Sequence, residues 1–187
     1  MSSAFRRLPL LAIAALVAVS PCAEDNIESR FDSRGRDGYD PTVLLIHRWE
    51  ANERQGLYLY NNASYERAYE VLSEPARRGL KGAQHAMALM HLDGQVVEKN
   101  VLVGTALMGL AAESGDRQLE RDYAKLLKSV PDKYGALVEA QVVYYIERYG
   151  MAAQGIRCAK ETAPASNIRK LVCWKQAGQY ADYPWTP

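Results

Sequence analysis

The chain has 187 residues, 48% of them apolar and 24% charged, with 23 Lys and Arg against 22 Asp and Glu for a formal charge of +1. That length fits one domain able to bury a core, and the composition is too apolar for a disordered chain. The near-neutral charge excludes a protein that holds nucleic acid through a broad basic surface, because phosphate binding needs clustered Lys and Arg.

Arg6 and Arg7 precede the apolar run Leu8 to Val19. The run is too short to span a bilayer, and with its charged flank it has the form of a secretory signal. The expectation is a signal peptide over residues 1–23 and export to the periplasm, with cleavage after Ala23 or after Ser20. Val19-Ser20-Pro21-Cys22 faintly resembles a lipobox, but Pro21 is the wrong neighbour for an acylated cysteine, so a free periplasmic protein is expected rather than a lipoprotein anchored at Cys22. Without the signal, the basic residues fall to 21 against 22 acidic ones, the charge becomes about −1, and no transmembrane span remains. Residues 24–40, rich in Asp, Arg, Ser and Gly, read as a flexible leader.

Asp40-Pro41 then supplies an N-cap with proline at the first helical position. The run Val43 to Trp49 opens a helix that is expected to end near Gly56. Tyr65, Ala68, Tyr69 and Leu72 are spaced i, i+3, i+4, i+7 on one helix face. Pro75 should break or kink that helix, and Arg77-Arg78-Gly79 reads as its C-terminal signal. The next helix carries Ala83, Ala86, Met87 and Met90 and stops at Asp93-Gly94. A polar loop leads to a helix with Val103, Ala106, Leu107, Leu110 and Ala111, ended by Gly115. Another covers Arg117 to Lys128 and is stopped by Pro131. The last runs from Gly135 to Tyr149, with Leu137, Ala140, Tyr144 and Tyr145 as its apolar face. Residues 41–150 therefore read as a helical repeat domain, expected as an α-solenoid-like stack of helices.

A shift of 36 positions places Gly79 on Gly115, Ala76 on Ala112, Leu72 on Met108, Met90 on Leu126 and Ala83 on Leu119, the mark of an internal repeat. Within it, Gly82-Ala83-Gln84-His85-Ala86-Met87-Ala88-Leu89-Met90-His91-Leu92-Asp93-Gly94 resembles the first helix of a Sel-1-like repeat, a relative of the tetratricopeptide repeat. Val101 to Leu110 and Ala111-Ala112-Glu113-Ser114-Gly115-Asp116 resemble its second helix and closing turn, and Tyr65 to Gly79 the second helix of the preceding unit. The resemblance extends over Pro41 to Lys128. Pro75 stands where the family has helix interior, and Leu107 and Met108 where it usually has an aromatic residue. The expected fold is thus all-α, a short irregular α-solenoid. The resemblance implies protein–protein contacts without catalysis, in bacteria often in the envelope. Free-standing periplasmic proteins of this kind include immunity proteins that block toxic enzymes, notably phospholipases, delivered by type VI secretion.

Residues 151–187 change character. Gly155 to Cys158 and Ile168 to Trp174 are short β-prone runs around turn-forming residues, which predicts a small hairpin. With Cys22 lost with the signal, Cys158 and Cys173 form an even pair in an oxidising compartment, so a disulfide is expected. Their spacing lacks the Cys-x-x-Cys geometry of a redox pair. The tail, with Tyr180, Tyr183 and Trp185, could lie against the helices.

The sequence offers no catalytic constellation. His47, His85 and His91 form no His-Glu-x-x-His pattern, and there is no Gly-x-Ser-x-Gly or phosphate loop. Neither a metal nor a cofactor is expected. The chain does hold 12 Tyr and 3 Trp against 2 Phe, and an amphipathic ring suits a half-wet binding surface as well as the seam between two helices. The candidate partner-binding residues are Tyr58, Tyr60, Tyr65, Tyr69, Tyr144, Tyr145 and Tyr149, or those of them that are exposed. The functional expectation is a non-catalytic module that binds another protein, most specifically an immunity-type inhibitor of a toxic effector, with an envelope scaffold or adaptor as the competing reading.

Overall fold

Local chemistry sets most helix ends in the computed structural model, which describes residues 42–162 and 168–184. The expected signal peptide, leader, Pro41 cap, hairpin tip and Trp185 lie outside the described residues. Six helices of 12 to 20 residues come first: α1 (Thr42–Asn61), α2 (Tyr65–Arg77), α3 (Lys81–Asp93), α4 (Val101–Ala112), α5 (Arg117–Ser129) and α6 (Asp132–Tyr149). A single turn, α7 (Met151–Gln154), leads into an antiparallel pair, β1 (Ile156–Thr162) and β2 (Arg169–Lys175). The expected mostly helical chain with a C-terminal hairpin is what forms.

The caps are readable residue by residue. Asn100 accepts the Val103 N–H at the start of α4, and Asp116 accepts the N–H groups of Gln118 and Leu119 at the start of α5, each satisfying donors that have no partner within the helix. At the end of α2, Leu80 N–H bonds Pro75 O and Gly79 N–H bonds Ala76 O, the paired closure of a Schellman turn. That closure needs a left-handed residue, and Gly79 supplies it with φ 87°; Gly115, its counterpart at the shift of 36, has φ 77°. Helix α3 lacks a local cap. The Glu53 carboxylate of α1 takes its place, accepting the Ala83 N–H at 2.9 Å.

Three expected boundaries move. Helix α1 does not stop at Gly56 but continues to Asn61, because Gly56 is buried where any side chain would collide with Leu72 of α2. Pro75 does not break α2: it lies two residues before the end, where only one backbone bond is forgone. Helix α6 begins at Asp132 rather than Gly135, directly after the extended Pro131.

Helix α4 is the centre of the molecule. Every residue from Val103 to Ala111 is buried, as expected of a helix that is apolar all round. It packs against α3, α5 and α6, while α2 bridges α1 and α3. The core gathers Trp49, Leu72, Met87, Met90, Leu107, Met108, Val142, Tyr145 and Tyr149. By contrast, α5 contributes no buried residue.

The hairpin is bound to the helices by polar staples as well as apolar contact. Ile156 and its cross-strand partner Lys175 are both buried. Gln154 Nε2 donates to Arg148 O and Ala181 O. Cys158 and Cys173 stand directly opposite each other in the register and are joined by the expected disulfide. The tail does lie on the helices: Tyr180 meets Trp49 edge-on at 5.5 Å, and Asp182 accepts from Arg77 and Arg78.

Candidate protein-binding surface

Helices α5 and α6 both rest on α4 and hardly touch each other. Gly109 of α4 makes this possible, since a Cβ there would stand 3.2 Å from Val142 of α6 and 3.3 Å from the Tyr123 ring of α5. From the Val130–Pro131 corner the two helices diverge, leaving a groove of about 500 Å³ between Tyr123 and Leu127 on one wall and Val138, Val142 and Val143 on the other. At Val130 and Val138 it meets a second, strongly apolar hollow of about 240 Å³, lined by Val101, Leu102, Tyr134 and Leu137.

The rim stays apolar where it meets solvent. Leu137 is 56% exposed, Tyr134 48%, Val143 47% and Leu127 40%. Such clustering, unlike scattered single hydrophobes, marks interaction surfaces. Glu139 adds an acidic rim beside Tyr123, whose hydroxyl is held above its ordinary range first by burial and then by that carboxylate.

This surface corrects the face assigned to α6. The buried stripe is Val138, Val142, Tyr145 and Tyr149, whereas Leu137, Ala140 and Tyr144 point outward. The helix carries two apolar stripes one residue out of phase, and only one of them meets the core.

The seven tyrosines therefore separate into three environments. Tyr58 and Tyr144 are exposed, and Arg148 lies 3.7 Å over the Tyr144 ring. Tyr60, Tyr65 and Tyr69 are half-buried. The first two meet edge-on at 5.5 Å, and Tyr69 packs against His91 with its hydroxyl 3.5 Å from Nε2. Tyr145 and Tyr149 have no exposed surface and pack edge-on with each other; Tyr149 donates to Pro184 O. Burial pushes the Tyr145 hydroxyl far above the ordinary phenol range, and Tyr149 and Tyr69 act in the same direction. The two sequence clusters thus approach each other inside the molecule, through Tyr69 and Tyr145. They do not form one tyrosine face. Of the seven, Tyr144 lies two turns beyond Leu137 on the same side of α6, continuing the exposed stripe.

Buried ionisable groups hold elements together. Lys81 Nζ donates to Glu113, Leu110 O and Gln84 at 2.7 to 3.1 Å, and burial lowers its pKa against the opposing pull of Glu113. Glu113 also accepts the Met151 N–H. His47 is exposed beside Glu50, while burial lowers the pKa values of His85 and His91, the former against the carboxylates of Asp122 and Asp116. Among the described residues, no group of three or more His, Cys, Asp or Glu is placed to hold a metal ion, and no helix is long and apolar enough to cross a membrane.

No protein-family model, no curated protein and no solved structure matches this chain.

Proposed function

We propose that this chain is an exported, non-catalytic protein-binding module of the bacterial periplasm, and most specifically an immunity-type inhibitor that grips and neutralises a toxic effector such as a phospholipase. The observation that carries the binding reading is the apolar groove between α5 and α6, with Leu127, Tyr134, Leu137 and Val143 all open to solvent. A cleft between diverging helices suits an amphipathic helix of a partner laid along it. The Cys158–Cys173 disulfide is compatible with an oxidising compartment. The inhibitor reading rests on the Sel-1-like resemblance of residues 82–116 and the secretory form of residues 1–23.

The test uses the mature protein and the product of any lipase or nuclease gene encoded beside it. An inhibitor forms a tight one-to-one complex burying at least a standard-size interface, and it abolishes the enzyme's activity. Leu137→Glu combined with Val143→Glu is expected to weaken that complex by more than about a hundredfold, since charge at a desolvated apolar contact removes a hot spot. These are exposed positions, so thermal stability should stay within about 0.5 kcal/mol of wild type. A protein that captures several resident envelope proteins and leaves the toxin active is a scaffold instead.

A further inference from the structure

At the far end of α5 from the apolar groove, the hairpin overhangs the start of that helix. Paired residues of an antiparallel ribbon share a face, so the pairs Lys160–Leu171 and Thr162–Arg169 point the same way as the buried pair Ile156–Lys175, toward the helices. Between this face and the first turns of α5 is a cleft of about 590 Å³, lined by Arg117, Gln118 and Arg121 from below and Lys160, Arg169 and Leu171 from above.

Its charge is one-sided. Arg117, Arg121, Lys160 and Arg169 are all exposed. Among the described residues none of them has a carboxylate partner, and Arg121 donates only to Gln118. The one acid lining the cleft, Asp116, is committed to capping α5, and the nearby Glu113 is paired with Lys81. Four cations against a single carboxylate around one hollow contrast with a chain whose total charge is +1.

We infer that this cleft is a docking site for an acid-rich, extended segment of another protein. The near-zero total charge provides no wide positive field to hold a long polyanion or a membrane surface. The concave shape admits a few side chains, and Leu171 gives them an apolar contact. Among the described residues each strand pairs only with the other, and main-chain groups on the outer edge of a strand can bond an added strand. The site lies on a different surface from the α5–α6 groove and does not depend on the function proposed for it.

Fluorescence anisotropy of a labelled oligoglutamate peptide with the mature, disulfide-bonded protein tests this. The expected result is saturable binding that weakens as salt rises. Arg117→Glu with Lys160→Glu should weaken it at least about tenfold, while the exposed pair Lys125→Glu with Lys128→Glu, and the groove pair Leu137→Glu with Val143→Glu, leave it unchanged. Absence of binding at low salt overturns the inference, as does equal loss in the Lys125/Lys128 variant. Displacement of the peptide by phosphatidylglycerol vesicles or by an oligonucleotide at lower concentration than by unlabelled oligoglutamate also overturns it, and assigns the cleft to lipid or nucleic acid. Far-UV circular dichroism confirms that each variant is folded.

Discussion

Lys175 donates its ammonium to the backbone carbonyl of Arg78, 97 positions earlier, at 3.0 Å, and to Gln154 O as well. The Arg78 guanidinium, itself 4.9 Å over Trp49 and 4.7 Å over Tyr180, lies close by. Two cations thus share one aromatic seat where the hairpin meets α1 and α2. Burial, and secondarily the charge of Arg78, bring the Lys175 pKa down from 10.5 to about 8.

A pH signature follows. Below about pH 8 the lysine is protonated in both folded and unfolded chains, and its contribution does not vary. Between about 8 and 10.5 the unfolded chain binds the proton more tightly than the folded one, so stability rises with pH, by at most about 1.4 kcal/mol per unit. The neutral amine keeps two N–H groups for its two carbonyls. Denaturant unfolding at pH 7, 9 and 10 should show wild type gaining on Lys175→Met as pH rises, the comparison cancelling the tyrosines common to both. A gap that narrows with pH contradicts this placement of Lys175.

The tyrosines make opposite predictions by position. Tyr145→Ala empties a site with no exposed surface and should cost about 3–5 kcal/mol, as large-to-small changes of aromatic core residues do. Tyr58→Ala, at a position 68% exposed, should change stability by less than about 0.5 kcal/mol. Equal thermal shifts in the two variants would place both tyrosines in the same environment.

Much of this fold is legible in the sequence because its signals are local. Asn100 and Asp116 cap, Gly79 and Gly115 turn, and two cysteines 15 apart face each other once the ribbon forms. What could not be read depends on partners distant in the chain. Gly56 looks like a stop until Leu72 is seen to need its space. The apolar stripes of α6 are alike in composition, and only the position of α4 decides that Val138 and Val142 turn inward while Leu137 and Val143 stay outside. The groove was missed for that reason, although a helix apolar on two faces is itself a signal that one of them awaits a partner. The cationic cleft joins α5 to the hairpin, elements with the whole of α6 between them, so no local window contains it.

The Lys81–Glu113 pair should be worth more by its loss than by its presence. Glu113→Ala strands a buried ammonium and leaves the Met151 N–H without its acceptor, for an expected cost of about 3–5 kcal/mol. Lys81→Met removes the cation that must be desolvated and fills similar volume, so its cost should be clearly smaller. Chemical denaturation of both variants checks the order, and a larger loss in Lys81→Met would mean that its bonds to Leu110 O and Gln84 outweigh the burial of charge.

The disulfide closes a loop of 15 positions, for which chain entropy gives a contribution on the order of 3 kcal/mol. Two strands alone are marginal in water, and only Ile156 and Lys175 at the base of the ribbon are buried. Reduction, or Cys158→Ser with Cys173→Ser, should therefore loosen the distal ribbon from Cys158 outward while the helices persist. Hydrogen exchange is expected to rise first at Glu161 and Lys170, a pair whose amides face each other across the ladder, with the amides of α3 and α4 still protected and the far-UV helical signal unchanged. Because Lys160, Arg169 and Leu171 form the upper wall of the cationic cleft, the same reduction should weaken oligoglutamate binding and spare any complex made through Leu137 and Val143. Protection at Glu161 and Lys170 that survives reduction would show that the ribbon is held by its docking on the helices and that the disulfide adds little.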